Sequence, residues 1–180
     1  MKQENIKLAT QLHVGKELNL SQIKSVTNPL NALGRPGDMA KPYGGVWTST
    51  YIDDEDGSAF YSSFKTGGDW YILDPLEADI FVVKNEDDIE FLLSNYGRKN
   101  SRDLVTFIDF EKLSKEYDAL HLTSGCFEDD SLVKELDLYK DLYGRTLNIH
   151  NTTHHPFHQW LAESTLWFNK KLQVRKIIPR

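Results

Sequence analysis

Four of the six histidines, His150, His154, His155 and His158, fall within nine positions. An i, i+4 pair of imidazoles on one helix face is a common way to hold zinc. Pro156 pushes His155 away from helical geometry and marks a helix start, which leaves His158 alone on that helix. No glutamate stands beside the pair as in a metalloprotease. The cluster therefore reads as a polar surface loop, with a histidine-based metal hydrolase as the chemical alternative and a pH-responsive contact as a third use. A second set is spread along the chain and has to meet in space: His13, the stretch Gly44 to Ser49, and Glu163. Such a set could offer aromatic surface for a flat ring, a hydroxyl for its polar edge and a carboxylate pointing into a cleft, on a backbone that glycine leaves open to a ligand.

The elements that would position this second set follow from local patterning. Lys7 to Val14 alternates as a first strand and stops at Gly15, where a ligand can approach the backbone closely. Lys16 to Pro42 is irregular, punctuated by Asn28-Pro29, Gly34, Pro36-Gly37 and Lys41-Pro42. Gly44 to Tyr51 is rich in β-branched and aromatic residues, and its alternation puts Trp47, Ser49 and Tyr51 on one face and Thr48 and Thr50 on the other. Asp56 to Phe64 and Asp87 to Tyr96 have helical spacing, the latter with Ile89, Leu92, Leu93 and Tyr96 on one face. Strands are expected at Asp69 to Leu73, Asp79 to Val83 and Ala119 to Thr123, and Val105 to Tyr117 is either a helix or a short strand entering a helix at Asp109. Leucines from Ser131 to Tyr143 repeat at helical spacing, and Thr165 to Phe168 and Leu172 to Ile178 close the chain as strands. The order is α+β in a single domain spanning residues 1–180.

Composition excludes several roles. With 180 residues, 39% hydrophobic and 12% aromatic, the chain has the material for a real core and is too aromatic to stay solvated. No apolar run approaches a membrane span, and Met1 to Asn5 lacks the apolar stretch of a signal peptide, so a cytoplasmic protein is expected. The net charge of -6 argues against binding duplex DNA through many phosphates. The acidic runs at 53–56, 86–88 and 128–130 read as solvated loops and helix starts. Cys126, the single cysteine, excludes an internal disulfide and multi-cysteine metal centres, and nothing nearby marks it as a nucleophile.

Together the three stations resemble the ADP-ribosyltransferase superfamily, in the branch with a His-Tyr-Glu type signature. The resemblance rests on His13-Val14-Gly15, on Tyr43-Gly44-Gly45-Val46-Trp47-Thr48-Ser49, on Ala59-Phe60-Tyr61, and on Glu163 within Ala162-Glu163-Ser164-Thr165-Leu166-Trp167-Phe168. It departs from that pattern in three places. Gly15 lies two positions after His13, Trp47 stands where tyrosine is usual, and Leu161 is neither Gln nor Glu. Thr48-Ser49-Thr50 also resembles the Ser-Thr-Ser of the Arg-Ser-Glu branch, but no arginine occupies the first station.

The resemblance implies split antiparallel β-sheets with flanking helices and NAD as substrate. Glu163 would stabilise the oxocarbenium-like ribose as nicotinamide leaves. His13 and Ser49 would hold ribose hydroxyls, backbone near Val14 or Gly15 the carboxamide, and Tyr61, with Trp47, Thr48 and Tyr51 nearby, the walls of the cleft. The implied activity is mono-ADP-ribosyl transfer to a macromolecular acceptor, protein or nucleic acid, as a toxin, phage effector or housekeeping enzyme. Two alternatives stand beside it: an NAD glycohydrolase, and a non-catalytic module that binds a partner through Trp47 and Tyr51.

Overall fold

A computed structural model describes residues 5–29, 41–99, 106–128, 157, 160 and 162–180. The leucine-rich segment 131–143 and the four clustered histidines lie outside the described residues, as does most of the expected helix from Pro156. Ten strands are described: β1 (Asn5–Ile6), β2 (Gln11–Gly15), β3 (Val46–Thr50), β4 (Asp69–Pro75), β5 (Ala78–Val83), β6 (Gly97–Lys99), β7 (Thr106–Ile108), β8 (Ala119–Leu122), β9 (Ser164–Trp167) and β10 (Leu172–Ile178). The helices are α1 (Ala59–Phe64), α2 (Glu86–Tyr96), α3 (Phe110–Leu113) and α4 (Gly125–Glu128). Eight strands form one sheet in the order β1-β5-β8-β9-β3-β2-β4-β10, and β6 pairs with β7 apart from it. The architecture is α+β.

The sheet departs from all-antiparallel at one place. β5 and β8 run parallel, because the chain between them makes a crossover through α2 and α3 instead of a hairpin. Both faces of this part of the sheet are covered, and the residues alternate accordingly. Phe81 and Val83 of β5 join Leu120 and Leu122 of β8 under α2 and α3, while Ile80, Val82 and Ala119 join Trp167 and Leu172 on the opposite face. Helix α2 starts where the Asn85 side chain accepts the Asp88 N–H, and α3 where Asp109 accepts the Lys112 N–H. Asp109 therefore does end a short strand and begin a helix, the second of the two expectations for that segment.

Two adjacent glycines let β3 begin flush against β9. Gly44 and Gly45 have φ of +81° and +67°, and a Cβ on Gly45 would lie 2.6 Å from Leu166 Cδ1 and 2.8 Å from the Trp167 carbonyl. A side chain there would clash and sit in left-handed backbone, so glycine is required on both counts.

Candidate functional site

β3 is shared between two halves of the sheet. Its first residues, Val46 to Thr48, pair with β9, while Ser49 and Thr50 pair with Leu12 and Gln11 of β2. Past Leu12 the two strands part, and His13 spans the gap with its Nδ1 donating to the Trp47 carbonyl at 2.8 Å. On the other side, Glu163, one residue ahead of β9, sends its carboxylate to the end of β3. Oε2 accepts the Ser49 hydroxyl at 2.7 Å and the Thr50 N–H at 2.8 Å, and Oε1 accepts the Thr50 hydroxyl at 3.0 Å. His13, Ser49 and Glu163, separated by up to 150 positions in the chain, thus lie within one fork of the sheet.

The fork opens into a cavity of about 180 Å³. Leu12, His13 and Val14 form one side, and Trp47, Ser49 and Ser164 another. Trp160 stands edge-on to Trp47 with ring centroids 4.6 Å apart, and its buried indole N–H has no hydrogen-bond partner. Lys41 lies over the same Trp47 ring, its Nζ 5.0 Å from the centroid. Phe60 closes the side toward α1.

Among the described lining residues are one lysine and one histidine and no carboxylate. Lys41 is the lysine at the cavity among the described residues, and the Glu163 carboxylate stands one hydrogen bond behind Ser49. Burial lowers the Lys41 amine from its ordinary value. Burial also lowers His13, outweighing the Trp47 carbonyl that pulls the other way. With Nδ1–H fixed on that carbonyl, a neutral His13 presents Nε2 as an acceptor. Gly15 keeps this edge open, since a Cβ there would sit 2.9 Å from Nε2.

The expected residues divide into three groups. His13, Trp47 and Ser49 meet at the cavity. Thr48 also borders it, but its hydroxyl turns away, accepting from Trp167 Nε1 at 2.9 Å and donating to Gln11 Oε1 at 2.7 Å. Glu163 reaches the cavity only through Ser49 and is 7% exposed. Tyr61 does not border the cavity; it packs edge-on against Trp70, 4.7 Å between centroids, and the aromatic that α1 supplies to the cavity is its neighbour Phe60. Tyr51 donates its hydroxyl to Asp54 on the exposed side, away from the cleft. Sequence reasoning missed Lys41 and Trp160. It also missed His121, whose Nδ1 is 3.6 Å from Glu163 Oε1.

Cys126 is buried, its thiol donating to the Val83 carbonyl at 3.4 Å, and burial raises its pKa. It is a packing residue. Among the described residues, no three His, Cys, Asp or Glu side chains converge as a metal site, and no helix is long and apolar enough to cross a membrane. No family model, curated protein or solved structure matches the chain.

His13 and His121 give stability a pH dependence of definite sign. Both are lowered from 6.5 in the folded protein, so on acidification the unfolded chain takes up protons first. Stability is unaffected by these groups above about pH 6.5 and falls as pH drops from there toward the lowered values. The thermal midpoint followed by circular dichroism should therefore decline between about pH 7 and 5.5, and a flat midpoint would contradict this assignment.

Proposed function

We propose that the protein cleaves NAD at the nicotinamide–ribose bond and transfers ADP-ribose to a macromolecular acceptor, as the resemblance to ADP-ribosyltransferases implies. The observation that carries this reading is the Glu163 carboxylate held by Ser49 and Thr50 at the fork, next to a cavity bordered by His13. The fork in the sheet is in keeping with the split-sheet arrangement expected for such enzymes. A volume of about 180 Å³ suits one ring and its sugar, and is below the ~300–1,000 Å³ of sites that enclose a whole drug-sized ligand. The remainder of the dinucleotide would lie along the open side of the cleft.

In this reading each group has a chemical task. His13 Nε2 accepts a ribose hydroxyl, which requires the imidazole to be neutral, as burial makes it. Departure of nicotinamide leaves positive charge on the ribose ring. A fixed carboxylate in a water-poor cleft stabilises that charge without having to reorganise. Ser49 and Thr50 hold Glu163 in place, and Trp47 with Trp160 provides flat apolar surface. Lys41 is the cation available to the diphosphate. Lys41→Met should raise the KM for NAD by roughly tenfold to a hundredfold, the ~1.5–3 kcal/mol of a hydrogen bond to a charged group, with kcat changed far less. An unchanged KM in steady-state nicotinamide release would remove Lys41 from the site.

One observation favours the non-catalytic module instead. Glu163 is 7% exposed and already accepts three hydrogen bonds, as a purely structural carboxylate would. Calorimetry with NAD separates the two: heat of binding supports the enzyme, and no detectable binding at millimolar NAD supports the module. Incubation of labelled NAD with a cell lysate then identifies the acceptor, and label released only as free ADP-ribose marks a glycohydrolase.

A further inference from the structure

Behind the cleft, a row of polar side chains crosses four strands of an otherwise apolar interior. His121 of β8 lies opposite Thr165 of β9, Thr165 lies opposite Thr48 of β3, and Gln11 of β2 reaches both threonines. All four are buried. Their donors and acceptors are satisfied by one assignment. The Ala9 carbonyl only accepts, so Gln11 Nε2 faces it at 3.1 Å, and Gln11 Oε1 faces Thr48 Oγ1 at 2.7 Å and Thr165 Oγ1 at 3.1 Å. Trp167 Nε1 only donates, so Thr48 accepts from it and gives its own proton to Gln11. Thr165 also gives its proton to Gln11, which leaves its oxygen to accept from His121 Nδ1 at 2.8 Å. The imidazole therefore carries a proton on Nδ1, and that nitrogen is 3.6 Å from Glu163 Oε1.

We propose that His121, which Ser49 and Thr50 leave no part in holding Glu163, is the group through which pH switches the carboxylate on and off. Neutral, its Nδ1–H is engaged by Thr165 and the carboxylate keeps its charge for the ribose. Protonated at Nε2 as well, the ring becomes a cation against Oε1 and cancels the charge that the bond-breaking step uses. The strands on either side of His121 bring Val82 and Thr165, and among the described residues the charged group acting on the ring is Glu163. Burial lowers the His121 pKa from 6.5, with Glu163 opposing. The proposal rests on the NAD reading above.

The test is the rate of nicotinamide release between about pH 5 and 8, for the wild-type protein and for His121→Asn. Asparagine places an amide nitrogen near the Nδ1 position, so it keeps a donor to Thr165 but takes up no proton. Two histidines then take up inactivating protons, so below both midpoints the wild type should fall more steeply than tenfold per pH unit, while His121→Asn keeps its neutral-pH rate and KM and falls only about tenfold per unit, the limb that His13 leaves. Nitrogen NMR of the wild-type imidazole supplies the midpoint without any variant and should show the Nδ1–H form. An acid limb in His121→Asn as steep as that of the wild type, or a wild-type limb with no inflection within ~1 unit of the His121 midpoint, overturns the switch and leaves the NAD reading intact. A wild-type protein that releases no nicotinamide at any pH overturns both.

Discussion

Glu163→Gln is expected to lower nicotinamide release by ~10²–10³ while NAD still binds. The substitution changes charge and almost nothing in shape. The amide oxygen can take the place of Oε2, accepting from the Ser49 hydroxyl and the Thr50 N–H. The amide nitrogen then faces Thr50 Oγ1, whose hydroxyl turns to accept instead of donate. The fork therefore stays closed around the new side chain, and the cavity keeps His13, Trp47 and Lys41 for the ligand. In the proposed mechanism what is lost is the negative charge near a ribose that becomes cationic only as the bond breaks, so the effect falls on kcat and not on binding. Nicotinamide release measured by chromatography, alongside calorimetric titration with NAD, reads the two quantities separately. Turnover equal to the wild type would end Glu163's candidacy and the proposed mechanism with it.

The largest expected effect on stability is at Trp160. Its ring is 1% exposed, wedged between Trp47 at 4.6 Å and Phe157 at 5.2 Å in the main core. Trp160→Ala should cost ~3–5 kcal/mol of unfolding free energy, from lost burial and from the void left in a close-packed region. Trp160→Phe should cost much less. It retains an aromatic ring beside Trp47 and removes an indole N–H that is buried without a partner, a group whose desolvation is uncompensated in the folded protein. Urea unfolding of both variants gives the comparison, and equal losses for the two would show that ring packing is not what Trp160 contributes. Because Trp160 also borders the cavity, Trp160→Ala removes one of its aromatic walls.

The strands and helices with strong local patterning were legible in the sequence. The β-branched run at Val46–Thr50 and the apolar face of Glu86–Tyr96 fold as their patterning indicates, and the strands expected at Asp69 to Leu73 and Asp79 to Val83 lie within the longer Asp69–Pro75 and Ala78–Val83. The three residues Gly97–Lys99 were not legible: they carry no alternation, and their strand exists only through pairing with Thr106–Ile108. At the site, His13, Ser49 and Glu163 could be named because each sits at the end of a readable strand or just before one. Lys41 could not, since it stands alone at the end of an irregular stretch and gains meaning only by lying over Trp47. Tyr61 was named for the cleft and Phe60 occupies it, because a six-residue helix gives too few turns to fix which face turns inward. His121 did leave a trace. A histidine inside the run Ala119-Leu120-His121-Leu122, in a strand buried on both faces, must find a polar partner, and here it finds Thr165 and Glu163.

The shared strand β3 also sets the order in which the protein can become competent. β9 is what joins β8 to β3, so before it docks the sheet exists as two unconnected pieces, β1-β5-β8 and β3-β2-β4. Glu163 meets Ser49 across 114 positions of chain, a non-local contact of the kind that slows folding. A polypeptide stalled or cleaved short of residue 163 holds His13, Ser49 and the cavity wall at Trp47 but neither the carboxylate nor the strand that brings it. The segment that joins the two pieces of the sheet is thus the same one that adds the carboxylate to the fork.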